Sequence, residues 1–209
     1  MSRIQSLVSR DFLADQKVGD LGEELWASWL SAKGGDPVIS ENGVMPNGKT
    51  RDWDVYDKST EVYYEVKMDI KAHYWAKKRN EPVNLFLEYE TVKTQKPCGI
   101  MKTDAQYLVY IVRNPEDIHI AYTFELEKLK DYLWSRHKTK EFKVRKPTIN
   151  GIGNVNGWTP PLFRLIEDAE ESGFQKLIVL PLDLLNPSHE KTLSELSMLE
   201  KRGGQAIEF

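Results

Sequence analysis

Residues 61–68, Glu-Val-Tyr-Tyr-Glu-Val-Lys-Met, constrain the fold of this chain more than any other stretch. β-branched and aromatic residues dominate it, which suits an extended strand. Side chains two apart in a strand share a face, so Glu65 and Lys67 point one way and Val66 the other. Just upstream, Arg51-Asp52-Trp53-Asp54-Val55-Tyr56 reads as a second short strand, and Asp57-Lys58-Ser59-Thr60 has turn composition. A connecting loop of even length puts Asp54 on the Glu65 face, opposite either Glu65 or Tyr63; an odd loop turns it away. The even register also sorts the remaining residues. Trp53, Val55, Tyr64, Val66 and Met68 then make one apolar face, with Asp52, Asp54, Glu65, Lys67 and Asp69 on the other.

Carboxylates a few ångströms apart repel, and one of them tends to take up a proton. A hard divalent cation relieves this, and Mg²⁺ prefers such oxygen ligands while keeping several waters for itself. A lysine alongside can hold a water and offset negative charge that develops on a phosphate. In outline this is a site for phosphodiester hydrolysis. A bare Glu-x-Lys on a strand is commonly just a solvated ion pair. Asp54 at hairpin distance and the apolar opposite face make the constellation more informative than the tripeptide.

With 209 residues, 40% hydrophobic and 29% charged, the chain suits one well-packed globular domain, expected over residues 1–195 with a flexible tail at 196–209. Residues 1–16 lack a continuous apolar stretch, so neither a signal peptide nor a membrane span is expected. The single cysteine, Cys98, leaves no intramolecular disulfide and no Cys-rich metal centre. His73, His119, His137 and His189 are scattered without ligand spacing. A reducing, cytoplasmic location is therefore expected. The net charge of −3 does not advertise nucleic-acid binding, but basic residues gather at 71–79 and 136–146, and acidic ones at 167–171.

Along the chain, a helix is expected over residues 15–33, stopped by Gly34-Gly35, with Leu21, Leu25, Trp26, Trp29 and Leu30 as its apolar stripe. Val38-Ile39 begins a strand. Residues 70–80 read as a short helix or a loop, and residues 83–90 as a third strand. A turn at 97–100 leads to a short helical connection at 102–105, and residues 106–112 form a central strand. A helix follows at 124–134, then a surface loop at 150–157 and a strand or buried segment at 177–181. Residues 191–209 carry only a weak helical pattern.

A glycine-containing helix, then an Asp strand, then a Glu-x-Lys strand resembles the PD-(D/E)XK nuclease family. The helix segment Gly19-Asp20-Leu21-Gly22-Glu23 is similar to that of the Holliday-junction resolvase-like members. Either Glu23 or Glu24 suits the family's helix acid, and Glu23 is preferred because Trp26, Ala27 and Leu30 then lie one and two turns along. Further on, Glu65-Val66-Lys67-Met68-Asp69, Val83-Asn84-Leu85-Phe86-Leu87-Glu88 and Gly99-Ile100-Met101-Lys102-Thr103-Asp104-Ala105 resemble a subgroup common in phage genomes. The likeness spans roughly residues 17 to 165. Trp53 stands where the family name has proline, and residues 70–82 are long and basic.

The resemblance implies an α/β fold of the restriction-endonuclease-like type, a central mixed sheet flanked by helices. It implies Mg²⁺ on Asp54 and Glu65, with Mn²⁺ able to substitute. Lys67 would orient or activate water, and Glu23 would bind a second metal through water or hold Lys67. Asp69 and Glu88 are neighbours of this site. Lys71, Lys77, Lys78 and Arg79 would contact DNA phosphates, and Tyr74 or Trp75 would stack on a base or pack against the fold. The activity implied is a metal-dependent DNA endonuclease, structure-selective and phage-type. Its rivals are an end-dependent exonuclease and a DNA-binding or assembly protein that kept the fold without catalysis. A homodimer is compatible with one active site per chain. The region after about residue 165 is expected to be structural.

Overall fold

The hairpin between residues 53 and 69 organises the structure. Val55 pairs with Tyr64, Tyr56 with Tyr63 and Asp57 with Val62, leaving residues 58–61 as the turn. Asp57 fastens it. Its Oδ1 accepts hydrogen bonds from the Asp36 amide (2.9 Å), the Ser59 amide (3.0 Å) and the Ser59 hydroxyl (2.7 Å), and its Oδ2 from the Thr60 hydroxyl (2.9 Å). Burial opposes ionisation of Asp57, but these bonds prevail and hold its carboxyl below the usual carboxylate range.

This computed structural model describes residues 3–40, 53–141, 143–145, 148–149, 152–153 and 155–185, with side chains described over 17–40, 53–141 and 155–185. In chain order the elements are α1 (Arg3–Ala32), β1 (Pro37–Ile39), β2 (Val55–Asp57), β3 (Val62–Asp69), α2 (Ala72–Arg79), β4 (Leu87–Thr91), β5 (Tyr107–Arg113) and β6 (His119–Glu125). There follow α3 (Leu126–Thr139), β7 (Lys143–Arg145), β8 (Thr148–Ile149), β9 (Ile152–Gly153), β10 (Val155–Thr159), α4 (Leu162–Glu167), α5 (Ala169–Ser172) and β11 (Phe174–Leu180). The central sheet has the order β1-β2-β3-β5-β6-β11. Within it β3 and β5 run parallel and the other neighbours antiparallel. The chain is thus a mixed α/β protein with a mostly antiparallel sheet flanked by helices.

Both faces of the sheet are covered, which explains the near-continuous apolar run of β5. On one face Leu21, Leu25, Trp26, Ala27 and Leu30 of α1 pack on Val55, Val66, Val109 and Ile111. On the other, Leu126, Leu129 and Leu133 of α3 join Leu108, Val112, Phe124, Leu85, Leu87 and Trp158. Burying each such large side chain contributes about 1.5–3 kcal/mol.

Several sequence expectations need correction. The first helix starts at Arg3, well before residue 15. Of the helix or loop expected over residues 70–80, the helix is the one that forms, as α2. The third strand is shorter than expected, Leu87–Thr91, and joins β10 and β7 in a separate three-stranded sheet. Its earlier half contributes only a bridge from Asn84 to Pro161, because the Leu85 amide is taken by the Pro160 carbonyl. The short helical turn falls at Gly99–Met101, ahead of 102–105. Strand β6, unforeseen, fills residues 119–125 where the helix was expected to begin at 124. The stretch 150–157 contains β9 and the start of β10, in place of a loop. The strand or buried segment expected at 177–181 is the sheet-edge strand β11, which starts earlier, at Phe174. Asp52, Lys146 and residues 191–209 lie outside the described residues.

His119 sits at the start of β6, 2% exposed, with neither ring nitrogen given a hydrogen-bond partner. Burial first, then the Arg113 charge, press its pKa down to about 4, against a smaller opposing influence of Asp117. A histidine held neutral in the fold binds fewer protons than in the unfolded chain, so its contribution is lost as pH falls from 6.5 towards 4. The full shift corresponds to about 3 kcal/mol. His119→Leu is expected to stabilise the protein by about 1 kcal/mol at pH 7, because two unpaired polar atoms leave the core. It should also flatten the loss of melting temperature between pH 6.5 and 4. An unchanged acid limb in the variant would show that His119 is not its source.

Candidate functional site

The site forms where β2 stops and β3 continues. The Asp54 amide donates to the Tyr64 carbonyl (2.9 Å), although the Cα partner of Tyr64 is Val55. Two residues thus oppose one, the arrangement of a β-bulge. The bulge has two consequences. Trp53 passes to the opposite cluster, where it meets Tyr63 at 5.5 Å and Tyr56 at 6.0 Å, so the expected apolar set of Trp53 with Val55 does not form. Asp54 turns edge-on, and its Oδ2 accepts the Val66 amide at 2.7 Å. That amide lies on the edge of β3 beyond the end of β2.

Glu65 and Lys67 project from the β3 face that also carries Tyr63. Their Oε1 and Nζ lie 3.5 Å apart, with 11% of the Glu65 side chain and 26% of the Lys67 side chain exposed. Burial alone would lower the Lys67 pKa. Glu65, Glu88 and Asp54 together outweigh it and raise it. Lys67 therefore remains an ammonium at neutral pH, suited to donating hydrogen bonds and balancing anions and unsuited to taking up a proton.

Helix α1 brings Glu23 to the same place. A Cβ on Gly22 would stand 2.9 Å from Met68 Cβ and 3.7 Å from Val66 Cγ1, so only glycine lets the helix lie this close on β3. Glu23, next along, is pushed up to about 8 by burial and then by the charges of Asp54, Asp20, Glu65 and Glu24. Glu24 lines a hollow with Ala27, Ser28, Ser31 and Ile39 on the β1 side of the helix. Of the two acids, Glu23 is thus the one shown near Asp54 and Glu65.

Of the other expected residues, Asp69 has a structural task. Its Oδ1 accepts the Lys71 amide at 2.8 Å, steering the chain into α2. Glu88 enters from β4, close enough to help raise Lys67. Lys71, Tyr74, Trp75, Lys77, Lys78 and Arg79 all lie on or next to α2. Of the second basic run, Arg136 is committed internally, reaching Glu141 at 2.9 Å, Glu171 at 3.3 Å and Asp168 at 3.5 Å.

Two supports were not foreseen. Tyr110 is the Cα partner of Lys67 across the parallel pair, and its hydroxyl accepts the Phe86 amide at 3.2 Å, fixing the approach of β4. Burial, then Asp69, raise its pKa well above the ordinary phenol value; Glu88 adds to this and the Phe86 bond opposes it. The alternation of residues 106–112 places Tyr110 on one face with Leu108 and Val112, and that was the available signal. Gly99 is the second support. It has φ +49°, and a Cβ there would come within 2.7 Å of both the Glu88 carbonyl oxygen and Glu88 Cβ. Gly99→Ala is expected to cost about 2 kcal/mol or more from the left-handed backbone and the clash. That is a fall of about 4–8 °C in melting temperature. A melt matching wild type would show that the turn accommodates the methyl.

The donor set fits a hard divalent cation. Asp54, Glu65 and Glu23 offer carboxylate oxygens, and Glu23 is raised first by burial and then by the neighbouring carboxylates, a crowding that a cation would relieve. Among the described residues no group of three His, Cys, Asp or Glu side chains is placed to hold a metal ion by itself. Mg²⁺ does not demand one, since it uses one or two protein carboxylates and completes its shell with water and phosphate oxygens. Among the described residues no helix is long and apolar enough to cross a membrane. No protein-family model, curated protein or solved structure matches the chain.

Proposed function

We propose that the chain is a divalent-metal-dependent DNA nuclease of the PD-(D/E)XK type, cutting phosphodiester bonds as an endonuclease. The observation that carries this reading is the meeting of Glu23, Asp54 and Glu65, with Lys67 beside Glu65, from a helix, a bulged strand end and a continuing strand. The sheet supports the finer fold assignment: a β1-β2-β3 meander joined in parallel to β5, with α1 on one face.

Asp54 and Glu65 would hold Mg²⁺, or Mn²⁺ in its place, and Glu23 would hold a second ion through water. When bound, such an ion supplies Lewis acidity and lowers the pKa of coordinated water. The residues contribute the rest. Lys67, cationic and beside Glu65, donates to the attacking water and to phosphate oxygens as their charge grows. The Val66 amide fixes the Asp54 carboxylate, and Glu65 in turn positions Lys67 at 3.5 Å. Lys71, Lys77, Lys78 and Arg79 would bind backbone phosphates, giving affinity independent of sequence.

Supercoiled plasmid incubated with the protein should be nicked or linearised with Mg²⁺ and remain intact with EDTA. Cutting confined to linear DNA would replace the endonuclease by an exonuclease. DNA retarded on a gel but uncut in every form would leave a binding protein.

A further inference from the structure

We propose that Tyr74 and Trp75 of α2 form a stacking platform for unpaired bases, so that the DNA this site acts on carries a single-stranded stretch beside the scissile phosphate. The proposal rests on the nuclease reading above and adds the substrate class.

Helix α2 tucks Ala72 into the core and turns its large rings outward. Tyr74 is 50% exposed and Trp75 38%. The two rings meet edge to face, with centroids 5.1 Å apart and planes at 70°. Lys78 Nζ stands 5.2 Å from the Trp75 ring and 5.8 Å from Tyr74, and Arg79 Cζ lies 4.9 Å from Trp75. The last turn is basic throughout, with Lys77, Lys78 and Arg79, and the first turn holds no acid.

This combination suits one kind of ligand. A protein that grips only the duplex backbone needs cations, because paired bases already stack on one another and leave no face free. Exposed rings interleaved with cations match single strands, whose bases stack on aromatics while phosphates take the charges. In the free protein Lys78 and Arg79 cover the rings through cation–π contacts. A base that takes a ring face releases these cations, which are then within a side-chain length of that nucleotide's phosphates. The platform also lies close to the chemistry. From Lys67 to Ala72 the chain extends at most roughly 17 Å, a distance of a few nucleotides along one strand.

The test is binding in EDTA, where cutting does not interfere, read by fluorescence anisotropy of labelled DNA. The probes are a mixed-sequence single strand, the blunt duplex of that sequence, and the duplex with a central unpaired bulge. The wild-type protein should prefer the single strand and the bulge. Trp75→Ala and Tyr74→Ala should each weaken binding of those two by roughly 5–100-fold, with little change on the duplex, and Trp75→Phe should restore most of the loss. Lys77→Ala should weaken all three alike and reduce the salt dependence. Because both rings are exposed, the variants should melt with wild type. Equal affinity of the wild type for duplex and single strand would overturn the platform. So would a Trp75→Ala effect that is absent or equal on all probes. The preference without any cutting of plasmid, linear, single-stranded or bulged DNA in Mg²⁺ would keep the platform and discard the nuclease. Cutting of blunt duplex at a rate Trp75→Ala leaves unchanged would keep the nuclease and discard the platform. No binding to any probe, with no cutting, would discard both.

Discussion

Lys67→Ala is expected to slow plasmid nicking by about 10²–10³-fold, the usual cost of removing one preorganised donor from a site where negative charge develops. The expectation follows from the position of the lysine. Glu65, Glu88 and Asp54 all raise its pKa, so its positive charge is built in before DNA arrives. The same variant leaves Glu65, 11% exposed in its side chain, without its cation 3.5 Å away. A stability loss of about 2 kcal/mol should accompany the loss of activity, so rates must be compared well below the melting temperature of the variant. Lys67→Arg keeps the charge on a wider, planar head, and should recover stability more fully than activity. Nicking by Lys67→Ala at the wild-type rate, in protein shown to be folded, would remove Lys67 from the chemistry.

The second large effect concerns the acid of α1. Glu23 is pushed up to about 8, so between pH 4.5 and 8 the folded protein holds a proton that the unfolded chain has released. Stability from this group therefore declines as pH rises through that window, the reverse of the usual surface carboxylate. At pH 7 this shift corresponds to about 3 kcal/mol, and partial contact with water reduces this to about 2 kcal/mol. Glu23→Gln, neutral at every pH, should raise the metal-free melting temperature at pH 7–8 and flatten its alkaline slope. On the proposed reading Mn²⁺ or Mg²⁺ should stabilise the wild type by binding the folded state, and Glu23→Gln should remove much of that stabilisation. A Gln variant no more stable than wild type at pH 8 would show that the acids are not crowded in solution. Glu23 lowers stability as pH rises from 4.5 to 8 and His119 raises it as pH rises from 4 to 6.5, so the two offset each other where these windows overlap, and their sum gives a broad plateau of greatest stability between about pH 4.5 and 6.5 in the metal-free protein.

The parts of this structure legible in the sequence share a cause, local alternation. Residues 61–68 fixed β3 and the even-loop register that faces Val55 with Tyr64, because one face had to be apolar. Glu65 lies beside Lys67, and Glu23 comes near Asp54 and Glu65. What was illegible depended on contacts distant in sequence. Nothing near Trp53 announces that a bulge will pass it to the other core, and Asp54 reaches the edge of β3 through the same irregularity. The segment 83–90 has strand composition throughout, yet its first half is claimed by Pro160 and Pro161. Strand β6 was missed because Thr123 and His119, buried at 4% and 2% exposure, break its apolar run.

Because β3 and β5 pair directly, Tyr64 beside Tyr107, everything between them is one excursion that leaves the sheet and returns to it. That excursion carries α2, Glu88 and the Gly99 turn, whereas Glu23, Asp54, Glu65 and Lys67 lie outside it. On the proposed nuclease reading, hydrolysis and substrate choice would thus be written in separable stretches of chain. If that reading holds, grafting a different excursion between the same two strands should redirect the protein to another DNA form while leaving the proposed cutting residues in place.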